Sequence, residues 1–227
     1  MDGYRHAVTS ADGTEIGLLT AGDGPPLLLV HGGMGRIERW APLWQPLTSR
    51  WRVTAMDRRG RGSSSGDAGP YDLSREFEDV AAVAASQAGG GPVDVFGHSY
   101  GAVCALGAAA KGAPVRRLAL YEPPGPPTVP AQWRARVLPM IEAGQPGRAM
   151  VSFLTEIIGL SAEEVDALRD APRGYDVMPI VSATMPRESE ALSTVDLPAL
   201  AVLDGQGHNA MDEAPELLVT QLASFFG

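Results

Sequence analysis

Gly97-His98-Ser99-Tyr100-Gly101 sets a serine between two glycines at a spacing that could do chemistry. The chemistry would be nucleophilic: a hydroxyl attacks an acyl carbon once a base removes its proton and donors receive the developing oxyanion. The surroundings suit the task. The apolar run Val93-Asp94-Val95-Phe96 leads into Gly97, and a helix of small residues begins at Tyr100. Such a strand–turn–helix holds the serine at the tip of a sheet, and the helix N-terminus beneath it favours negative charge. Glycines are required at 97 and 101 because strand and helix come too close there for a side chain. A second copy of the pattern, Gly62-Ser63-Ser64-Ser65-Gly66, has neither strand before it nor helix after it, and Ser64 reads as a loop residue.

The elements that must position Ser99 alternate strand and helix, as in an α/β sheet. Tyr4–Ala11 and Glu15–Ala21 flank Asp12-Gly13 as a hairpin. Pro26–Val30 is a continuous apolar run, suited to a strand buried on both faces, and ends in His31-Gly32-Gly33. Arg52–Met56 is a further strand, followed by a helix over Asp72–Ala88, with Phe77, Val80, Ala81 and Ala84 at helical spacing. Val115–Tyr121 is a strand after the Ser99 helix. Glu122-Pro123-Pro124-Gly125-Pro126-Pro127 then breaks regular structure, and 129–194 shows only helical patterns. One strand, Ala199–Leu203, and one helix, Ala214–Phe226, close the sequence. The expected organisation is a core of 1–124 and 195–227 interrupted by a helical cap over 125–194.

Three blocks, His31-Gly32-Gly33-Met34-Gly35, Asp57-Arg58-Arg59-Gly60-Arg61-Gly62-Ser63 and Gly97–Gly101, each follow a strand, and Gly205-Gln206-Gly207-His208-Asn209-Ala210-Met211 closes the series. In this order they resemble the α/β-hydrolase superfamily over roughly Gly17–Tyr121 and Leu200–Phe226. The resemblance implies a mostly parallel sheet with helices on both faces and a helical cap, and a serine hydrolase without cofactor. It makes Ser99 the nucleophile and His208 the base that activates it. It places the oxyanion hole at the backbone N–H groups of Met34 and Tyr100. His31, Gly32, Gly33 and His98 then support the loops around that hole.

The resemblance leaves the triad acid open. The family's usual layout has two strands after the cap, the acid often following the first. Here Thr194 lies 14 residues before His208, and one strand fits between. A strand–helix unit is therefore expected to be missing. Glu122, at the end of the strand before the cap, is one candidate acid, and Asp204 is another. Closing up the sheet would move the histidine strand sideways by about 4.8 Å. Ala199–Leu203 is then expected to pair with Val115–Tyr121 in a seven-stranded sheet, with a homodimer favoured through its apolar edge.

The 227 residues carry a net charge of -9, which disfavours nucleic acid as a partner. Four scattered histidines and one cysteine, Cys104 in an apolar run, give no metal signature and no disulfide. No signal-peptide layout and no apolar stretch of ~20 residues is present, so a cytoplasmic protein away from membranes is expected. Two function classes follow: a hydrolase of small esters, thioesters, lactones or amides, or a repurposed relative that binds a ligand or does non-hydrolytic chemistry in the same pocket. The apolar residues of the cap suit a small acyl substrate, although most belong in the cap's own core.

Overall fold

A computed structural model describes residues 1–66, 70–87, 89, 91–170, 176–195 and 215–226. They form two compact units: Met1–Pro123 with the C-terminal helix, and the helical segment that begins at Pro124.

The first unit is built on six strands: β1 (Tyr4–Thr9), β2 (Glu15–Ala21), β3 (Pro26–Val30), β4 (Arg52–Met56), β5 (Val93–His98) and β6 (Val115–Tyr121). Their spatial order is β1-β2-β4-β3-β5-β6. The opening hairpin and the β2–β4 pair are antiparallel, and β4–β3, β3–β5 and β5–β6 are parallel. The carboxyl ends of β3, β4, β5 and β6 therefore gather at one edge, where open α/β sheets place their chemistry. The Ala199–Leu203 strand, its pairing and the homodimer edge lie outside the described residues.

Apolar runs buried on both faces divide their side chains between two helical layers. Leu27 and Leu29 of β3 join Val53, Ala55 and Phe96 against α1 (Ala41–Thr48) and the last helix, Pro215–Phe226. Trp40, Leu43, Trp44 and Leu47 fill that layer from one side, and Leu218, Val219, Leu222 and Phe226 from the other. The opposite face carries α2 (Leu73–Gln87) and α3 (Tyr100–Ala110). Gly107 of α3 leaves room for the Phe77 ring of α2. The short helix α1 is not evident from the sequence because Pro42 and Pro46 read as breakers. Pro42 falls in its first turn, where no N–H is needed.

The second unit contains α4 (Ala131–Glu142), α5 (Pro146–Ser152) running into a π-helical turn (Phe153–Ile157), α6 (Ala162–Asp170) and α7 (Met178–Leu192). Trp133 donates its indole N–H to Ser152 Oγ at 2.9 Å and meets the Phe153 ring edge-on at 5.9 Å. Trp133, Val137 and Leu154 are buried, as expected of residues in the segment's own core. No described helix is long and apolar enough to cross a membrane.

Charges on the loop after β4 are buried where the sequence pattern would put them in water. Arg59 is 1% exposed and forks onto both Asp79 oxygens at 2.7 Å, with a third bond to Asp12 at 2.9 Å. This joins the loop to α2 and to the hairpin turn. Breaking one side of a buried pair leaves the other charge uncompensated, at a cost of about 3–5 kcal/mol. Arg59→Met is therefore expected to lose that much stability in urea unfolding. The double variant Arg59→Met/Asp79→Leu should recover most of it.

Candidate active site

Ser99 lies at the tip of β5, with φ 52 and ψ -125. Among the described non-glycine residues, only Ser99 and Glu122 have positive φ. Such conformations are costly and persist only where the surroundings enforce them. The enforcement here is steric. A Cβ on Gly97 would lie 2.7 Å from Ala102 Cα, and one on Gly101 would overlap the carbonyl oxygens of Val30 and His31. The first turn of α3 thus rests directly on the end of β3. The Ser99 N–H donates to Tyr121 O at 2.8 Å, and the Ser99 carbonyl accepts from Ala102 N at 2.8 Å. The half-buried Ser99 Oγ makes no hydrogen bond to a described residue.

The loop after β3 reaches the same point. A Cβ on Gly32 would sit 3.0 Å from Ser99 Cβ, so the His31-Gly32-Gly33 backbone passes directly over the nucleophile. Met34, half-buried, follows in the turn closed by Gly35 N to Gly32 O at 3.2 Å. His31 is fully buried. Its Nε2 accepts the Arg58 N–H at 3.1 Å, so Nδ1 carries the proton and donates it to Gly32 O at 2.8 Å. Burial, then the neighbouring Arg58 cation, lowers its pKa to about 3, and the ring stays neutral. His98 is buried at the end of β5 and stacks on Tyr121 with ring centroids 5.7 Å apart.

Tyr100, the residue after the nucleophile, is fixed by a buried network. Its hydroxyl meets that of Tyr71 at 2.7 Å, and Tyr71 donates to Glu76 Oε1 at 2.9 Å. Arg58 forks onto Glu76 at 2.6 and 2.7 Å and lies 4.5 Å from the centre of the Tyr100 ring. Burial alone would push the Glu76 carboxyl up, but the Arg58 charge and hydrogen bonds pull it down to about 2. The buried Cys104 thiol lies 3.7 Å from Glu76 Oε2. No role at the site follows from the sequence for Glu76, Tyr71, Arg58 or Arg61. The one available signal was the Arg58-Arg59-Gly60-Arg61 run itself.

Asp57 organises the rest of that loop. Oδ1 accepts Ile37 N at 2.8 Å, and Oδ2 accepts Ser63 N at 2.8 Å. Gly62, with φ 48, has no room for a Cβ against this carboxylate. Ser64 of the second G-x-S-x-G is fully engaged: its Oγ donates to Asp57 O at 2.6 Å and accepts Gly17 N at 2.8 Å. Its hydroxyl works as a staple in the loop.

Glu122 stands one strand from the nucleophile. The β5–β6 register pairs His98 with Tyr121, so the next positions on the two strands are Ser99 and Glu122. Its φ is 47 and its side chain is exposed. His208 and Asp204 lie outside the described residues.

Residues 27–221 match the Alpha/beta hydrolase family, and the chain belongs to it. An alpha/beta hydrolase from Sphaerobacter thermophilus DSM 20745 is 38% identical with a TM-score of 0.73, over 83% of this chain and 74% of that one. A hydrolase from Pseudomonas aeruginosa PA01 shares the fold at TM-score 0.77 and 20% identity, over 100% of both chains. An (E)-2-((N-methylformamido)methylene)succinate hydrolase from Acinetobacter baylyi is 33% identical over 86 residues, which is 38% of this chain and 32% of that relative's length.

Among the groups whose pKa values fall on folding, His31 and Glu76 are the fully buried ones beside Ser99. His31 in the unfolded chain takes up a proton near its ordinary 6.5, and the folded ring refuses it down to about 3. Glu76 repeats this between its ordinary 4.5 and about 2. In both ranges the unfolded state binds more protons, so stability present above pH 6.5 is lost as pH falls. The urea midpoint is expected to drop from pH 6.5 downward and more steeply below 4.5. The His31→Gln variant should be less stable throughout but flatter between pH 6.5 and 4.5.

Proposed function

We propose that the chain is a serine hydrolase that cleaves a small ester, thioester, lactone or amide through an acyl-Ser99 intermediate. The observation that carries this reading is the strained elbow: Ser99 held at the parallel edge of the sheet, with the Gly32 backbone directly over it. Ser99 Oγ attacks the acyl carbon while His208 takes its proton. The N–H groups of Met34 and Tyr100 receive the oxyanion. His208 then protonates the leaving group, and water resolves the acyl-enzyme with His208 again as base.

Glu122 supplies the acid that holds His208 in the right tautomer. Its place beside Ser99 across the β5–β6 pair supports this, as does its backbone strain. His31 is excluded as the base because both of its nitrogens are committed, Nδ1 to Gly32 O and Nε2 to the Arg58 N–H. Membership of a family with hydrolases among its relatives supports the reaction class.

An activated fluorophosphonate is expected to label Ser99 alone when labelled peptides are read by mass spectrometry. Label on Ser64 would contradict the assignment. No label anywhere would favour ligand binding or non-hydrolytic chemistry. In ester hydrolysis, Glu122→Gln should lower turnover by up to about 10⁴-fold, far more than Asp204→Asn. A larger loss at Asp204 would move the acid there.

A further inference from the structure

We infer that Arg61 is a positioning residue for the oxyanion hole: by holding the Gly33 carbonyl it aims and polarises the Met34 N–H. This rests on the reading of Met34 as a donor given above. No described peptide bond is cis, so the unit joining Gly33 to Met34 is trans, and its N–H points opposite to its C=O. Whatever fixes Gly33 O therefore fixes the direction of the Met34 N–H. Arg61 Nη2 donates to Gly33 O at 3.1 Å, and Nη1 donates to Arg59 O at 3.3 Å.

The neighbouring peptide is held in the same way. Gly32 O accepts from His31 Nδ1 at 2.8 Å and, at a longer 3.3 Å, from Arg58 Nη1. The two consecutive carbonyls of the His31-Gly32-Gly33 loop thus each face a guanidinium. A cation on a carbonyl oxygen draws electron density from the amide and strengthens its N–H as a donor, as in any hydrogen-bonded chain. Arg61 is 1% exposed, and burying a guanidinium is expensive. A neutral donor could hold the carbonyl, but a cation polarises it more strongly. The charge is felt locally, since Arg61 helps hold the Glu76 carboxyl down.

The second oxyanion donor is oriented without a cation. Ser99 O accepts Ala102 N within the first turn of α3, so the helix itself directs the Tyr100 N–H. Loss of Arg61 should therefore damage one of two donors and leave the nucleophile in place.

The test compares wild type with Arg61→Gln and Arg61→Lys, using p-nitrophenyl acetate for turnover and phenylboronic acid as a probe that forms a tetrahedral adduct on Ser99. Folded fraction is followed by circular dichroism under the same conditions. Loss of one hole donor in a protease costs about 10²–10³ in kcat, so Arg61→Gln is expected to lose about 10²-fold in kcat with KM little changed. Boronate binding should weaken in parallel, and Arg61→Lys, which keeps the charge, should recover part of both. The inference is overturned if the folded variants turn over at the wild-type rate, or if the loss lies in KM. It is overturned equally if neither variant folds or turnover falls only with folded fraction, because Arg61 then serves the fold. Wild-type protein that takes neither fluorophosphonate nor boronate would overturn the hydrolase reading itself.

Discussion

Backbone rests on backbone where α3 leaves the sheet, and the site depends on that contact. Gly101 lies against the carbonyls of Val30 and His31, and Gly97 of β5 against the first turn of α3. With no side chain between them, the turn at Ser99 cannot relax into an ordinary conformation. The same closeness brings the end of β3 to the nucleophile, so the loop that follows β3 starts at the reacting centre. Strand order completes the arrangement. With β5 between β3 and β6, Ser99 has the His31-Gly32-Gly33 loop on one side and Glu122 on the other.

Around this contact the structure uses buried charge as an organiser. Arg58, Arg59 and Arg61 are almost wholly removed from water and reach α2, the opening hairpin and the loop over Ser99. Pairs of this kind add little to stability compared with apolar packing of the same volume, and their best-attested use is to specify one arrangement. Arg58 and Arg59 fork onto carboxylates of α2, while Arg58 and Arg61 reach the carbonyls of Gly32 and Gly33, which have no side chains of their own. The glycine-rich loop gains its definition from neighbours.

Local pattern made much of the fold legible. The strands ending at Val30, Met56 and Tyr121 are short apolar runs, and the elbow announces itself because the chain must change from strand to helix across one serine. The second G-x-S-x-G was separable for the same reason, since nothing regular enters or leaves it. What the sequence concealed is long-range pairing. Glu76 and Asp79 sit on α2 where a periodicity argument sees solvent-facing charge, and they are buried only because arginines 18 and 20 residues earlier meet them. Helix α1 was hidden by prolines that its first turn and its packing accommodate. The left-handed backbone of Glu122 has no sequence signal, because a non-glycine residue gives no hint of such strain.

The chain carries a single lysine, Lys111, among its 18 basic residues. Every buried cation around the site is therefore a guanidinium, which keeps its proton far above the range where an ammonium gives its own up. A loop built on lysines would begin to shed charge in mild alkali, and burial would bring that point closer to neutrality. The loop over Ser99 has no such weak point. On the basic side its arginines keep their charge, and rising hydroxide meets the same cation-held carbonyls that neutral water does.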